Sequence, residues 1–188
     1  MNFDIKVIVD TREKDLSYIG EVDKRRRQDG TKIIEVEVKT CTPLNCKKST
    51  SDITFEYKID GGDWNKTSLA IEVKKGMDLV QSLSTVSKRD RLIREVQRAI
   101  DADLDFYFIG DTDVGKLVAD LKKLEGNPRN KIRRGSYINF LDQYLKFNNT
   151  LVEMGFPEGI IICSDLWFII RRLIKKHIKE KKLLTKVK

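Results

Sequence analysis

A chain of 188 residues is the size of one domain and is long enough to bury a core without disulfide or metal staples. With 35% charged and 40% hydrophobic residues it lies far from the composition of disordered chains, and no apolar run approaches the roughly 20 residues of a membrane helix. Thirty-seven Lys and Arg against 29 Asp and Glu leave a net charge of +8, which suits a phosphate-bearing partner, and three cysteines without a Cys-x-x-Cys pair beside a single histidine argue against zinc.

The N-terminus has no basic region followed by an apolar stretch, so neither export nor membrane insertion is expected. The expected compartment is intracellular with reduced thiols: cytoplasm, nucleoid or nucleus for a cellular protein, host cytoplasm for one from a mobile element.

In chain order, Ile5 to Val9 is a β-branched apolar run that predicts a buried strand delivering Asp10, Thr11, Arg12 and Glu13 at its end. Ile33 to Val38 and Ile53 to Ile59 alternate apolar and polar residues and predict half-buried antiparallel strands joined by a loop from Thr40 to Asp52. Gly61 and Gly62 make a turn, and Ser68 to Val73 a further strand. From Gly76 the spacing becomes helical through Leu79 and Leu83 and, after a break, Leu92, Val96 and Ile100.

Leu104 to Ile109 predicts a strand and Val114 to Leu124 a helix, followed by a loop from Gly126 to Gly135 that carries Arg129, Lys131, Arg133 and Arg134. Ser136 caps a helix reaching about Met154, Gly159 to Cys163 is an apolar strand, and Ser164 or Asp165 caps a last helix. The tail from Arg171 is dense in Lys and Arg, and its start can pack through Leu173 and Ile174. Strands alternating with helices predict an α/β class, a mixed central sheet flanked by helices, with residues 1–188 as one domain and a basic helix and tail from about 165.

The chemistry concentrates in Gly62 and Asp63, then Glu72, Val73 and Lys74 on the following strand. Glu72 and Lys74 are two apart, so they share a strand face. Carboxylates are the hard oxygen donors that Mg²⁺ prefers, and an amine beside an attacking water can orient or deprotonate it. Asp followed by Glu-x-Lys is the PD-(D/E)xK nuclease pattern.

More of the chain fits one branch of that group. Gly62 and Asp63, then Glu72, Val73, Lys74 and Asp78, together with Asp10, Arg12 and Glu13 at the end of the first strand, resemble the XPF-type structure-specific endonuclease domain. The resemblance continues through Asp78, Leu79, Ser82 and Leu83, then Arg91 to Ala99 and Phe106 to Ile109, and so covers most of the chain.

It implies a restriction-endonuclease-like fold, Asp63 and Glu72 as metal ligands helped by the Val73 carbonyl, and Lys74 as the catalytic lysine. It further implies Asp10, Glu13 and Asp78 as supporting acids, with Mg²⁺ as cofactor and Mn²⁺ able to substitute. The partner expected is DNA, contacted by Arg12, Arg129, Lys131, Arg133 and Arg134, with Arg25 to Arg27 as further candidates. A homodimer or a targeting subunit is expected from the resemblance alone.

The family usually has Arg where this chain has Val73, and the helix-hairpin-helix module that often follows the domain is not within these residues. Selectivity for flaps, forks or junctions is therefore an expectation of the resemblance only. The alternative reading is a catalytically silent DNA-binding or scaffold subunit of the same fold.

Gly110 to Lys116 fits the Gly-x-x-x-x-Gly-Lys half of a nucleotide-binding loop, but Leu117 replaces the Ser or Thr that would reach Mg²⁺. Asp111 and Asp113 would also set negative charge against phosphates, so nucleotide binding is disfavoured. His177 is expected on the surface of the basic helix, and Trp64 and Trp167 as packing anchors.

Overall fold

The computed structural model of the chain describes residues 3–11, 30, 34–47, 51–125, 136–156 and 158–186. The elements follow the order β1 (Phe3–Val9), β2 (Ile34–Val38), β3 (Ile53–Ile59), β4 (Asn65–Lys66), β5 (Leu69–Lys75), α1 (Gly76–Ser84), α2 (Val86–Asp101), β6 (Asp105–Asp111), α3 (Val114–Glu125), α4 (Ser136–Glu153), β7 (Ile160–Cys163) and α5 (Leu166–Lys186). The fold is α/β. Among the described residues a mixed seven-stranded sheet runs in the order β2-β1-β3-β5-β6-β7, with β4 paired to β3. None of the described helices is long and apolar enough to cross a membrane.

The chain forms two compact units, one of residues 1–72, 99–106 and 165–188 and the other of residues 73–98 and 107–164. In the first, β1 pairs in parallel with β2 and antiparallel with β3. β2 and β3, expected as neighbours, are thus separated by β1. Ile5, Val7, Ile8 and Val9 are all buried, so their run is apolar on both sides and suits a central strand; β3 is interior too, between β1 and β5, and buries its polar Thr54 and Glu56.

Register sets Ile5, Val7 and Val9 beside Tyr57, Phe55 and Ile53, an apolar face, while Asp4 and Lys6 stand beside Lys58 and Glu56 on the other. That second face carries ion pairs: Asp4 with Lys58 at 3.3 Å, Lys6 with Glu37 at 3.2 Å and Lys39 with Glu56 at 3.1 Å. Partly solvated pairs of this kind contribute about 0–1 kcal/mol each. Trp64 lies over the Lys6 and Lys58 ammoniums, 4.4 and 5.0 Å from its ring centre. It packs, but on charged stems rather than in the core.

β3 turns into β4 at Asp60 and Gly61, which both take positive φ (48° and 76°), and Gly62 N–H donates to the Ile59 carbonyl at 3.0 Å. Those are the features of a type I′ hairpin turn, which needs a glycine or a short Asx residue at each centre. Five residue steps from Lys66 to Ile71 are matched by only three from Glu56 to Ile53. The excess residues, Thr67 and Ser68, bulge between β4 and β5, and Thr67 Oγ1 donates to the Phe55 carbonyl at 2.8 Å. The two-residue β4 is too short to show as a pattern in the sequence.

Asp165 is the cap of α5, its Oδ1 accepting the Phe168 N–H at 2.9 Å. The helix buries Leu166, Ile170, Leu173, Ile174 and His177 along one stripe. His177 is therefore not a surface residue. It is 5% exposed, its ring meets Phe55 edge-on at 5.4 Å, and its Nδ1 lies 3.0 Å from Asp105 Oδ2. The stripe spacing of 166, 170, 173 and 177 was visible, but a histidine on it looks like one more polar residue of a basic helix.

In the second unit α4 packs against α1 and α3, and Phe147 meets Phe108 edge-on at 5.7 Å. Gly110 allows the close approach here: a Cβ would stand 2.5 Å from Ile162 Cδ1 and 3.1 Å from Leu79 Cδ2.

Candidate active site

The end of β1, the start of β3 and the middle of β5 lie side by side. Asp10 follows β1, and its N–H donates to the Asp52 carbonyl at 2.8 Å. Asp52 precedes β3, and its own N–H donates to the Ile71 carbonyl of β5 at 3.0 Å. A regular strand residue aims both groups at the same neighbour; Asp52 aims them at opposite ones, which is bulge geometry and re-aims the side chain. Glu72 follows Ile71 directly. Asp10, Asp52 and Glu72 thus occupy neighbouring places on three adjacent strands.

Their environments differ. Asp10 is fully buried, and its Oδ2 accepts the Cys41 N–H at 3.2 Å. Glu72 is buried to 8% exposure, and Asp52 is half-buried. Cys41 belongs to the segment that crosses from β2 to β3 over the end of β1, and its thiol donates to the carbonyls of Ile8 and Asp52 at 3.2 and 3.4 Å. Burial pushes the Cys41 thiol pKa up strongly, and the nearby Asp10 and Asp52 carboxylates push it the same way. Asp10 therefore holds the crossing segment in place and is closed to solvent.

Lys74 lies two residues beyond Glu72 on the same strand, so alternation gives the two side chains one face. It is half-buried, and its Nζ donates to the Val73 carbonyl at 3.3 Å. Val73 is buried on the opposite side of β5, where an arginine has no place.

Asp63 is not brought to this place. It lies in the exposed stretch after the β3–β4 turn, beyond the Tyr57–Asn65 pair, with its carbonyl held by Asn65 Nδ2 at 2.9 Å. The whole length of β3 separates it from Asp52 and Glu72, roughly 20 Å at about 3.3 Å per residue. Asp78 is exposed in the first turn of α1, where its charge complements the helix N-terminus. Arg12, Glu13, Arg25 to Arg27, Arg129, Lys131, Arg133 and Arg134 lie outside the described residues.

Among the described residues no three His, Cys, Asp or Glu side chains gather closely enough to hold one ion. A pair does not conflict with Mg²⁺, which is commonly held by one or two carboxylates and completes its shell with water and phosphate oxygens. Asp52, half-buried, and Glu72, buried, are hard oxygen donors set near each other by the Asp52–Ile71 backbone bond and are the candidates for such a pair.

The Gly110 loop is a helix cap. Asp113 Oδ1 accepts the Lys116 N–H at 2.7 Å, so a backbone donor that a phosphate would need is already engaged by a carboxylate.

Compared with known proteins, the chain matches no family model and no curated sequence. Its function is read from geometry.

Proposed function

We propose that this protein is a metal-dependent DNA endonuclease whose site is built on Asp52, Glu72 and Lys74, with Asp10 as a buried support. The observation that carries the reading is the meeting of Asp52 with the residue before Glu72 across β3 and β5, with Lys74 on the Glu72 face. Two carboxylates and an amine on neighbouring segments of β3 and β5 suit metal-assisted phosphodiester hydrolysis, and the +8 charge of the chain favours a polyanionic substrate.

Asp52 and Glu72 would hold Mg²⁺ or Mn²⁺. When bound, the ion supplies Lewis acidity and neutralises charge on the phosphodiester. Lys74 positions the attacking water through a hydrogen bond and takes its proton when the amine is neutral. The water oxygen bonds to phosphorus, the bond to the leaving oxygen breaks, and that oxygen takes a proton from solvent. Asp10 does no chemistry; it fixes the Cys41 segment above Asp52.

The test is cleavage of labelled single-stranded, duplex, flap, fork and four-way-junction DNA with Mg²⁺ or Mn²⁺. Loss of cleavage in Asp52→Ala, Glu72→Ala and Lys74→Ala, with Asp63→Ala active, supports the assignment and ranks the substrates. DNA binding without cleavage of any substrate would favour a silent DNA-binding subunit instead.

A further inference from the structure

In the second unit α2 and α4 leave a cleft of about 360 Å³, within the roughly 300–1,000 Å³ of small-molecule sites. α2 contributes Arg89 and Ile93, and α4 contributes Gln143, Lys146, Phe147 and Thr150. Residues three, four and seven apart share a helix face, so each helix turns one face to the cleft.

The floor is apolar and the rim is cationic. Phe147 is buried, and Ile93 is half-buried. Arg89 is half-buried and held in place: its Nη1 donates to the Leu83 carbonyl in the last turn of α1 at 3.2 Å, and to Gln143 Oε1 of α4. A helix end leaves such carbonyls without helical partners, so the arginine satisfies one of them. Its Nε and Nη2 N–H groups have no partner among the described residues, and they remain as donors for a ligand.

Lys146, its side chain 65% exposed, pairs with Asp142 at 2.8 Å, so the charges on that wall balance. The net charge of the cleft is therefore the Arg89 guanidinium. Thr150 Oγ1 donates to the Lys146 carbonyl at 3.0 Å, which leaves the hydroxyl oxygen as an acceptor.

We infer that this cleft binds a small organic monoanion, an aryl or alkyl carboxylate, with its carboxylate on Arg89 and its apolar body over Ile93 and Phe147. A guanidinium meets a carboxylate through charge-assisted hydrogen bonds, and one already fixed by two acceptors loses little freedom when a ligand arrives. One unbalanced cation suits a monoanion; the second charge of a phosphate dianion would go uncompensated, with Asp142 nearby. The apolar floor also separates this site from one for a bare ion, which would gain nothing from Ile93 and Phe147. None of the lining residues takes part in the proposed hydrolysis.

The probe is anilinonaphthalene sulfonate, a fluorescent monoanion with an apolar body, titrated into the full chain. Its expected dissociation constant is about 10–100 μM, in keeping with a ligand of about 20 non-hydrogen atoms. 1-Naphthoate should displace it, whereas inorganic phosphate at the same concentration should not. Arg89→Gln should weaken binding about tenfold or more, and Thr150→Phe, which fills the cleft, should do the same without touching the guanidinium. Leu145→Ser and Phe168→Ser, at exposed apolar residues that do not line the cleft, should bind as the wild type does. Circular dichroism melts establish that each variant is folded. No binding to the wild type, binding that survives both cleft substitutions, or displacement by phosphate as effective as by naphthoate would overturn the inference. No readout involves DNA, so this inference and the nuclease reading fail separately.

Discussion

Asp52→Asn and Asp63→Asn distinguish two ways of building the proposed metal site. A Mg²⁺ ligand oxygen lies about 2.0–2.1 Å from the ion, whereas a carboxylate roughly 20 Å along the hairpin lies beyond the screening length of about 8–10 Å. Only Asp52 can then alter binding at Glu72. At a tenfold excess of Mg²⁺ over its dissociation constant, binding stabilises the folded state by about 1.4 kcal/mol. For a chain of 188 residues that raises the melting temperature by about 3–6 °C.

The assay is a thermal melt with and without Mg²⁺, run beside the cleavage assay. Wild type and Asp63→Asn should show the full shift and cut DNA, while Asp52→Asn and Glu72→Gln should lose both. A Mg²⁺ shift that persists in Asp52→Asn and vanishes in Asp63→Asn would refute the placement of the site at the Asp52 bulge.

Cys41 should resist thiol reagents in the native protein near pH 8, because burial and the neighbouring carboxylates keep its thiol protonated, while half-buried Cys46 and Cys163 react first. Labelling of Cys41 at the rate of the other two would contradict its burial. The Lys6 hydrogen bond lowers the Glu37 pKa from its ordinary 4.5, burial opposes it, and Lys39 adds to the lowering, which prevails. A lowered carboxylate pKa contributes stability above the unfolded value that is lost as pH falls through the folded one. Urea melts should therefore show wild type ahead of Glu37→Gln at pH 7 and the gap closing well below pH 4.5; a gap that widens in acid would reverse the sign. Asp165→Ala removes the α5 cap and should cost about 1 kcal/mol, or a fall of about 2–4 °C in the melting temperature.

Periodicity exposed the elements because each strand or helix long enough to repeat its pattern wrote that pattern in apolar residues. The apolar run of β1, the alternation of β3 and the helical spacing after Gly76 all appear where expected. What periodicity does not carry is adjacency. β2 and β3 are consecutive and similarly patterned, yet β1 lies between them, and β3 is itself interior with β5 on its other side. The buried His177 escaped for a related reason: its environment is set by Phe55 and Asp105, distant in sequence.

The site separates in the same way. Glu72 and Lys74 were legible because their relation is local, two residues on one strand. The second carboxylate depends on how the hairpin closes, and there spacing along the chain misleads. Asp63 is near Glu72 in sequence and follows a Gly, but it belongs to the turn, and strands that leave a turn antiparallel carry such a residue away from anything far along them. The residue opposite Glu72 must lie about as far before the turn as Glu72 lies after it. With the turn at Asp60 and Gly61, Glu72 is the eleventh residue after it and the eleventh before it is Ser49; the hairpin register and the Thr67–Ser68 excess shift the opposing residue to Asp52. The bulge at Thr67 and Ser68 is not written in the apolar pattern, so the pairing that sets Asp52 beside the end of β1 and the Glu72 segment of β5 shows only in the fold.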